Sequence, residues 1–156
     1  MNSHANREVK DHVSEHPFLK GLDASFVRLV SEGSNDRTYE TGDLLVHEGD
    51  PAHEFFLVHQ GKVAIEIVEA GGPHLTIQTV GPGEVLGWSW LAPEGRWHFD
   101  ARALKRTRVT SLSAEVLRRS FEERPADGCA FLLRFVPVLA ERLENTRVQL
   151  MDIHGA

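Results

Sequence analysis

Residues 81–104 of the chain read GPGEVLGWSWLAPEGRWHFDARAL, and the fold prediction starts from this stretch. It opens on a Gly-Pro-Gly turn, which is typical of a chain reversal between two strands. All three tryptophans of the protein lie in it, and three arginines interrupt or follow them: Trp88, Trp90, Trp97, Arg96, Arg102 and Arg106. Because aromatic side chains bury large areas and dominate the sites they line, the stretch predicts either a ligand pocket or a heavily packed strand crossing.

The length and composition of the chain predict one ordinary globular domain. With 156 residues, 41% of them hydrophobic and 26% charged, the chain is long enough to bury a core. The net charge of −6 argues against a general nucleic-acid or membrane-surface protein, whose affinity comes from a basic face. Cys129 is the only cysteine, and the polar N-terminus has no apolar signal core. We therefore expect a cytoplasmic protein with no intrachain disulfide and no membrane span.

Hydrophobic alternation with frequent glycine turns predicts a mainly β fold. Short strands are expected within residues 37–46, 55–58, 62–68, 75–80 and 106–112, with a glycine at nearly every corner. In KVAIEIV, residues 62–68, the apolar Val63, Ile65 and Ile67 recur at every second position, which is typical of a half-buried strand. The prediction is a β-roll or jelly roll of about eight strands.

Helical periodicity flanks the strands on both sides. Residues 18–30 carry apolar side chains at helical spacing, with Asp23 expected to cap a short helix. Residues 114–121 predict another short helix that Pro125 ends, and a longer helix is expected from Asp127 or Gly128. Pro137 falls inside that longer helix and is expected to kink it or mark a joint. The single domain, 1–156, thus divides into an N-terminal helical part (1–36), the roll (37–113) and C-terminal helices (114–153).

Several short fragments occur in the order and spacing of one known family. They run from about Phe18 to Leu150 and include Gly42-Asp43, Glu48-Gly49-Asp50, Phe56-Leu57-Val58, Gly81-Pro82-Gly83-Glu84 and Ala101-Arg102-Ala103. In this order they resemble the cyclic-nucleotide-binding domain family, the sensor half of catabolite-activator-type regulators. The resemblance implies the β-roll, a regulatory role without catalysis or a cofactor, and a small-molecule ligand held in the roll.

The family's phosphate cassette is the part that this sequence departs from. The cassette reads approximately Phe-Gly-Glu-Leu, then a loop, then Arg-Ser/Thr-Ala before a strand. Its glutamate takes the ribose hydroxyl, and its arginine pairs with the cyclic phosphate. Aligning residues 101–103 with the family's strand places Gly87 at the glutamate and Trp97 at the arginine, with Arg96 one position early. A loop can absorb such a slip, but we expect no conventional cyclic AMP or cyclic GMP binding.

The ligand-binding residues that the resemblance implies lie on both sides of the cassette loop. They are Gly83, Val85, Leu86, Gly87, Trp88, Arg96, Trp97 and Arg102. Two interpretations of their aromatic members stay open. Either they line a pocket for a cyclic nucleotide or another aromatic or apolar compound, or they fill the volume that a nucleotide occupies in the family. On strands, Trp88 with Trp90 and Trp97 with Phe99 would each share one face.

Three functional hypotheses remain. The first is a non-catalytic small-molecule sensor with an altered cassette, and the second is a structural or interaction protein whose filled roll binds no ligand. The third is a cupin-like metal enzyme, in which Glu54 and Gly61 have the required spacing but the paired histidines before them are missing. His53 and His59, six residues apart, support such a metal site only weakly.

The C-terminal segment predicts assembly. Leu132, Leu143 and Leu150 lie close to coiled-coil spacing, whereas Phe131, Phe135, Val138 and Leu139 are expected to pack on the roll. In the family the matching helix pairs across a two-fold axis, so a homodimer through this helix is expected. Only His154, Gly155 and Ala156 follow Ile153, too few for the family's winged helix-turn-helix, and so no direct DNA binding is expected.

Overall fold

The computed structural model describes residues 12–68 and 70–154, and its centre is a β-roll of eight antiparallel strands in two sheets. The strands are β1 Asn35–Tyr39, β2 Leu44–Val46, β3 Glu54–Gln60, β4 Val63–Val68, β5 His74–Val80, β6 Val85–Leu86, β7 Asp100–Ala103 and β8 Thr107–Ser113. One sheet has the order β1-β8-β3-β6 and the other β2-β7-β4-β5. The predicted roll of about eight strands is confirmed.

Helices flank the roll at both ends. They are α1 Ala24–Val30, a 3-10 helix at Ser89–Leu91, α2 Ala114–Glu123, α3 Pro125–Leu133 and α4 Phe135–His154, and residues 12–15 are also helical. The cap predicted at Asp23 is confirmed, since its carboxylate accepts hydrogen bonds from the backbone N–H groups of Ser25 and Phe26. No helix in the described part of the chain is long and apolar enough to cross a membrane.

The C-terminal helices differ from the prediction at their joint. The helix is interrupted at Arg134, three residues before Pro137, and Pro137 lies in the first turn of α4. A proline is tolerated in the first turn because the N–H groups there have no intrahelical acceptor. The same rule explains Pro125, which begins α3 directly after α2 instead of only ending the helix before it.

An aromatic cluster joins the helices to the roll. Its rings are contributed by the N-terminal segment, β3, the 3-10 helix, α2, α3 and α4: Phe18, Phe55, Trp90, Phe121, Phe131 and Phe135. Phe18 and Phe55 each lie 5.0 Å from the ring of Phe135, at tilted or edge-on angles. Such geometries add to the burial of the rings, so the cluster fixes the start of α4 against the first sheet.

A buried histidine fastens the N-terminal segment to β3. His16 is only 3% exposed, its Nε2 lies 3.0 Å from the Val58 carbonyl oxygen, and its Nδ1 accepts the backbone N–H of Phe18 at 3.2 Å. These two bonds require the neutral ring with the proton on Nε2. Burial lowers the pKa of His16, and the ring of His59, whose own pKa is lowered by burial and then by His16, lies edge-on at 5.4 Å.

At one glycine corner, the neighbouring strand leaves no space for a side chain. Gly61, between β3 and β4, has a φ of +100°, and a Cβ there would lie 2.6 Å from the carbonyl oxygen of Arg106. Gly42 has a similar φ of +92°, with no atom within 4 Å of the corresponding position. The two positions therefore share the same backbone constraint but differ in the space around them.

We expect Gly61→Ala to destabilise the protein more than Gly42→Ala. The positive φ costs about 1–2 kcal/mol at either site. Overpacking against residues 106 and 107 adds about 1–3 kcal/mol at Gly61 only. Urea unfolding of both variants beside the wild type measures the difference, and equal losses of unfolding free energy at the two positions would contradict this packing.

Acid should weaken the attachment of the N-terminal segment through His16. Because its folded pKa lies below the unfolded value of about 6.5, the unfolded state binds more protons, and stability is lost as the pH falls through 6.5 toward the folded pKa. In urea unfolding at pH 7.5 and 5.5, we expect a smaller loss in His16→Gln than in the wild type. The exposed His53→Gln is the control and should keep the wild-type loss; an unchanged loss in His16→Gln would rule His16 out as the source.

Candidate functional site

The cassette segment leaves β6 at a glycine and turns into a short helix. Gly87 follows β6 directly with a φ of +109°, and Trp88 occupies the N-cap position of the 3-10 helix at Ser89–Leu91 without a side-chain capping bond. Trp90, in that helix, is fully buried and donates its indole N–H to the Gly87 carbonyl oxygen at 2.9 Å. Trp88 and Trp90 therefore do not share a strand face as the alternation predicted, because the segment is helical and not extended.

Trp97 packs inside the roll against Gly87. It is 5% exposed, and a Cβ added at Gly87 would lie 2.7 Å from its six-membered ring. Its ring stacks on Phe56 of β3 with a centroid distance of 6.3 Å and tilts against Phe99 at 5.8 Å. The structure thus brings together two of the predicted ligand residues, and only a glycine leaves space for the indole.

The edge of Trp97 also borders an open groove beside β2. This groove has a volume of about 450 Å³ and is lined by β2, the turn after it and the residues that lead into β3. Trp88, in contrast, is half-buried and stacks on the exposed ring of His98 at 5.7 Å and 18°. The three tryptophans consequently have three different environments: Trp90 in the aromatic cluster, Trp97 in the roll and Trp88 at the surface.

The two predicted ligand arginines are engaged by protein groups. The exposed Arg96 donates to the Gly49 carbonyl oxygen at 2.8 Å, within the bridge that pairs Pro51 with Arg96. Arg102 on β7 donates to the Gly42 carbonyl oxygen at 3.0 Å and to the Glu66 carboxylate at 3.3 Å. Arg96 joins two loops to each other, and Arg102 joins the loop at Gly42 to the second sheet.

Two buried carboxylates that the sequence did not single out accompany Arg102. Glu66 and Asp100 are direct cross-strand neighbours, and their side chains are 8% and 4% exposed. Each accepts a hydrogen bond or ion pair from an exposed histidine at 2.9 Å, His74 on Glu66 and His47 on Asp100. Within 12–68 and 70–154, no group of three or more histidine, cysteine or acidic residues is arranged to hold a metal ion.

Gly83 and Val85 line a separate cavity between the β5–β6 turn and α4. It has a volume of about 230 Å³, and its other walls are Pro17, Phe18, Gln78, Glu84, Val138, Glu141 and Arg142. Arg142 donates from one terminal nitrogen to the Val85 carbonyl oxygen at 2.7 Å, and burial lowers its pKa to about 10. Neither Arg142 nor Gln78 was predicted, because a polar residue on an amphipathic helix or strand gives no sign of what faces it.

Comparisons with known proteins agree with this architecture. The model of the cyclic nucleotide-binding domain matches residues 36–124. The chain is 31% identical over 99 residues to the cyclic AMP receptor protein of Thermus thermophilus, covering 64% of this chain and 46% of that protein. The structure is similar to a cyclic nucleotide-binding domain from Methylobacillus flagellatus, with a TM-score of 0.74 and 19% identity over 96% of this chain and 84% of that one.

A second solved structure is, by its name, one domain of a transcriptional regulator. The N-terminal domain of a transcriptional regulator from Streptomyces coelicolor superposes with a TM-score of 0.64 and 26% identity, covering 88% of this chain and 94% of that one. The chain spans about half the length of the curated relatives it matches. Because the family model covers more than half of its residues, the chain belongs to the cyclic nucleotide-binding domain family.

Proposed function

We propose that this chain is a non-catalytic small-molecule sensor module that does not bind cyclic AMP or cyclic GMP in the manner its family suggests. The homology supports a regulatory module, since the matched proteins are receptors and transcriptional regulators by name. The observation that carries the proposal is the packing of Trp97 against Gly87 and Phe56 inside the roll. The net charge of −6 supports the further proposal that this domain makes no direct contact with DNA.

The glutamate of the family's cassette has no counterpart here by either plausible match. Sequence alignment places Gly87 at that position. Matching Gly87 to the glycine of the motif, which its positive φ directly after β6 supports, places Trp88 there instead. A glycine has no side chain and an indole offers only an N–H donor, so neither residue supplies a side-chain acceptor for a ribose hydroxyl.

The pairing of an arginine with the cyclic phosphate, as in the family's cassette, has no ready counterpart here either. Trp97 stands at the aligned position and is packed on Phe56, while Arg96 and Arg102 hold backbone carbonyls of Gly49 and Gly42. A cyclic phosphate would have to displace one of these bonds and move the indole out of the roll. Both changes cost free energy. Binding to a pocket that is already formed avoids that cost.

We expect isothermal titration calorimetry of the purified protein with cyclic AMP and cyclic GMP to show no Kd near 1 μM, a value equivalent to about −8 kcal/mol. The informative variants are Arg96→Gln and, as a matched exposed control, Arg106→Gln. Micromolar binding that Arg96→Gln abolishes and Arg106→Gln preserves would overturn the proposal and place Arg96 on the phosphate.

A second candidate function is an interaction protein, and the exposed apolar face of α4 favours it. We name this face the α4 stripe: Val136, Leu139, Leu143 and Leu150, with Thr146 between the last two. Its leucine and valine side chains are 38–64% exposed. Leu139 was expected to pack on the roll and instead belongs to this face, while Phe131, Phe135 and the half-buried Val138 do pack on the core.

The spacing of the α4 stripe suits a second copy of the same helix. From Val136 to Leu150 the positions follow alternating steps of three and four residues, which keep one face of a helix toward a partner. Solvent-exposed apolar side chains in such a row are costly to hydrate, and a two-fold pairing buries both rows at once. We therefore propose a homodimer through α4, which is compatible with either candidate function.

We expect the wild type to have a dimer mass in multi-angle light scattering at micromolar concentration and Leu143→Glu to have a monomer mass. Leu143 is 64% exposed in the middle of the stripe, so a pair of glutamates facing each other there would be desolvated and would repel. Val148→Glu is the matched control, because Val148 is exposed on the opposite side of the same helix. A monomeric wild type, or equal effects of both substitutions, would contradict the interface.

A further inference from the structure

A polar cavity of about 180 Å³ lies where the N-terminal segment meets β1, β3 and β8, and we name it the His59 cavity. It forms at a bulge in β3, because Val58 pairs with Val109 and Gln60 with Arg108, which leaves His59 as an extra residue between them. Bulges change the direction in which side chains point. Here the two bulged residues, His59 and Gln60, line the same cavity as Arg108 opposite them.

The β1 wall of the His59 cavity contributes an exposed carboxylate. Asp36 Oδ1 accepts the hydroxyl of the buried Thr110 at 2.8 Å, and the Thr110 oxygen lies 2.6 Å from His59 Nε2. Because the hydroxyl has one proton and gives it to Asp36, His59 Nε2 is the donor of the second bond. Asp36 Oδ2 accepts no hydrogen bond from the described residues, so this exposed carboxylate retains acceptor capacity at the cavity wall.

Arg108 supplies a cation that no protein carboxylate neutralises within 12–68 and 70–154. Its side chain is exposed, and its guanidinium makes no hydrogen bond or ion pair with the residues described there. Arg37 also lines the cavity, but its guanidinium is paired with Glu54. Arg108 and the exposed ring of His12, which also lines the cavity, are therefore the N–H donors open to a ligand.

The charges around His59 favour an anion. Burial lowers the pKa of His59 most, and the neighbouring His16, His12 and Arg108 lower it further, while Asp36 alone opposes them. The N-terminal segment, β3 and β8 thus bring four basic groups to one carboxylate of β1. An anion among these groups reduces their mutual repulsion and favours the protonated form of the His59 ring.

The carboxylate restricts which anion fits. A ligand that contacts both Arg108 and Asp36 must offer an acceptor to the guanidinium and an O–H donor to the carboxylate. Hydrogen phosphate has both groups, whereas sulfate has acceptors alone and is repelled by Asp36. The cavity volume is below the range of about 300–1,000 Å³ that is usual for drug-sized ligands, so it suits a small oxyanion and not a nucleotide.

We propose that the His59 cavity binds inorganic phosphate, with phosphate oxygens on Arg108 and His12 and the phosphate hydroxyl on Asp36. The adjacent His59 takes up a proton when the anion binds. The site goes beyond the proposed function, because none of its walls is shared with Gly87 or Trp97 of the cassette segment.

Three dianions of similar shape test the hydroxyl contact at pH 7.5. Inorganic phosphate keeps an O–H group at this pH, whereas sulfate has none and methyl phosphate, as a monoester with a second pKa of about 6, has lost its own. In calorimetry of the full chain at constant ionic strength, we expect phosphate to bind at least about tenfold more tightly than either, as the loss of a charged hydrogen bond predicts. Equal binding of the three dianions, or no binding of phosphate, would overturn the proposal.

Variants of the cavity walls locate the phosphate. Arg108→Gln should weaken phosphate binding at least about tenfold, and Arg106→Gln, at an exposed arginine two residues away that pairs with Glu40, should leave it unchanged. Asp36→Asn keeps an oxygen that can accept the Thr110 hydroxyl but replaces the other acceptor by an N–H donor, so the preference for phosphate over sulfate should disappear. Phosphate binding that survives Arg108→Gln, or a preference that survives Asp36→Asn, refutes this site.

The titration of His59 gives a readout that a purely structural role of these residues would not change. In NMR titrations of the histidine rings, saturating phosphate should raise the pKa of His59, because a nearby anion stabilises the protonated ring. The signal that is lost in His59→Gln identifies this ring, and the exposed His53, which lies outside the cavity, is the internal control. An unchanged His59 titration, or an equal shift at His53, would contradict binding in the His59 cavity.

Discussion

The packing of aromatic rings between the roll and its helices is the interaction on which the rest of the structure depends. Phe18, Phe55, Phe131 and Phe135 come from four separate elements, and their rings meet within 5.0–5.9 Å. All four are at most 8% exposed. Because interiors are packed as tightly as organic crystals, one ring cannot shift without its neighbours. This packing sets the orientation of α4, and with it the positions of the cavity beside it and of the α4 stripe.

Packing between distant elements separates the features that the sequence predicts from those that it does not. Strand alternation and glycine corners are local properties, so the roll and the cap at Asp23 can be predicted from short windows. The environments of Trp88, Trp90 and Trp97 depend on a 3-10 helix and on contacts with rings from strands that are distant in sequence. No local sequence pattern predicts these contacts. Arg142 could not be predicted either, because its significance lies in atoms of β5 and β6 that surround it.

Under the proposed function, the cassette segment of this chain serves packing in place of nucleotide binding. Trp97 supplies an apolar surface where a phosphate would require charge, and Gly87 supplies the space for it. Arg96 and Arg102 keep their positive charges but use them to hold the loops at Gly49 and Gly42. Substituting tightly packed rings for a polar pocket removes the cost of an empty, hydrated cavity, and the segment then contributes to folding in every state of the protein.

α4 is buried at its first residue and exposed toward its C-terminal end. Its first residue, Phe135, is 2% exposed in the aromatic cluster, whereas Leu143, Leu150 and Met151 toward its far end are at least half exposed. The helix has 20 residues and so a length of about 30 Å. A rotation of about 10° at its buried end would displace the other end by about 5 Å. Arg142 lies about 10 Å along the helix from Phe135, and Gln149, nearer the far end, donates to the Thr76 carbonyl oxygen of β5 at 2.9 Å, so such a rotation would have to break that bond.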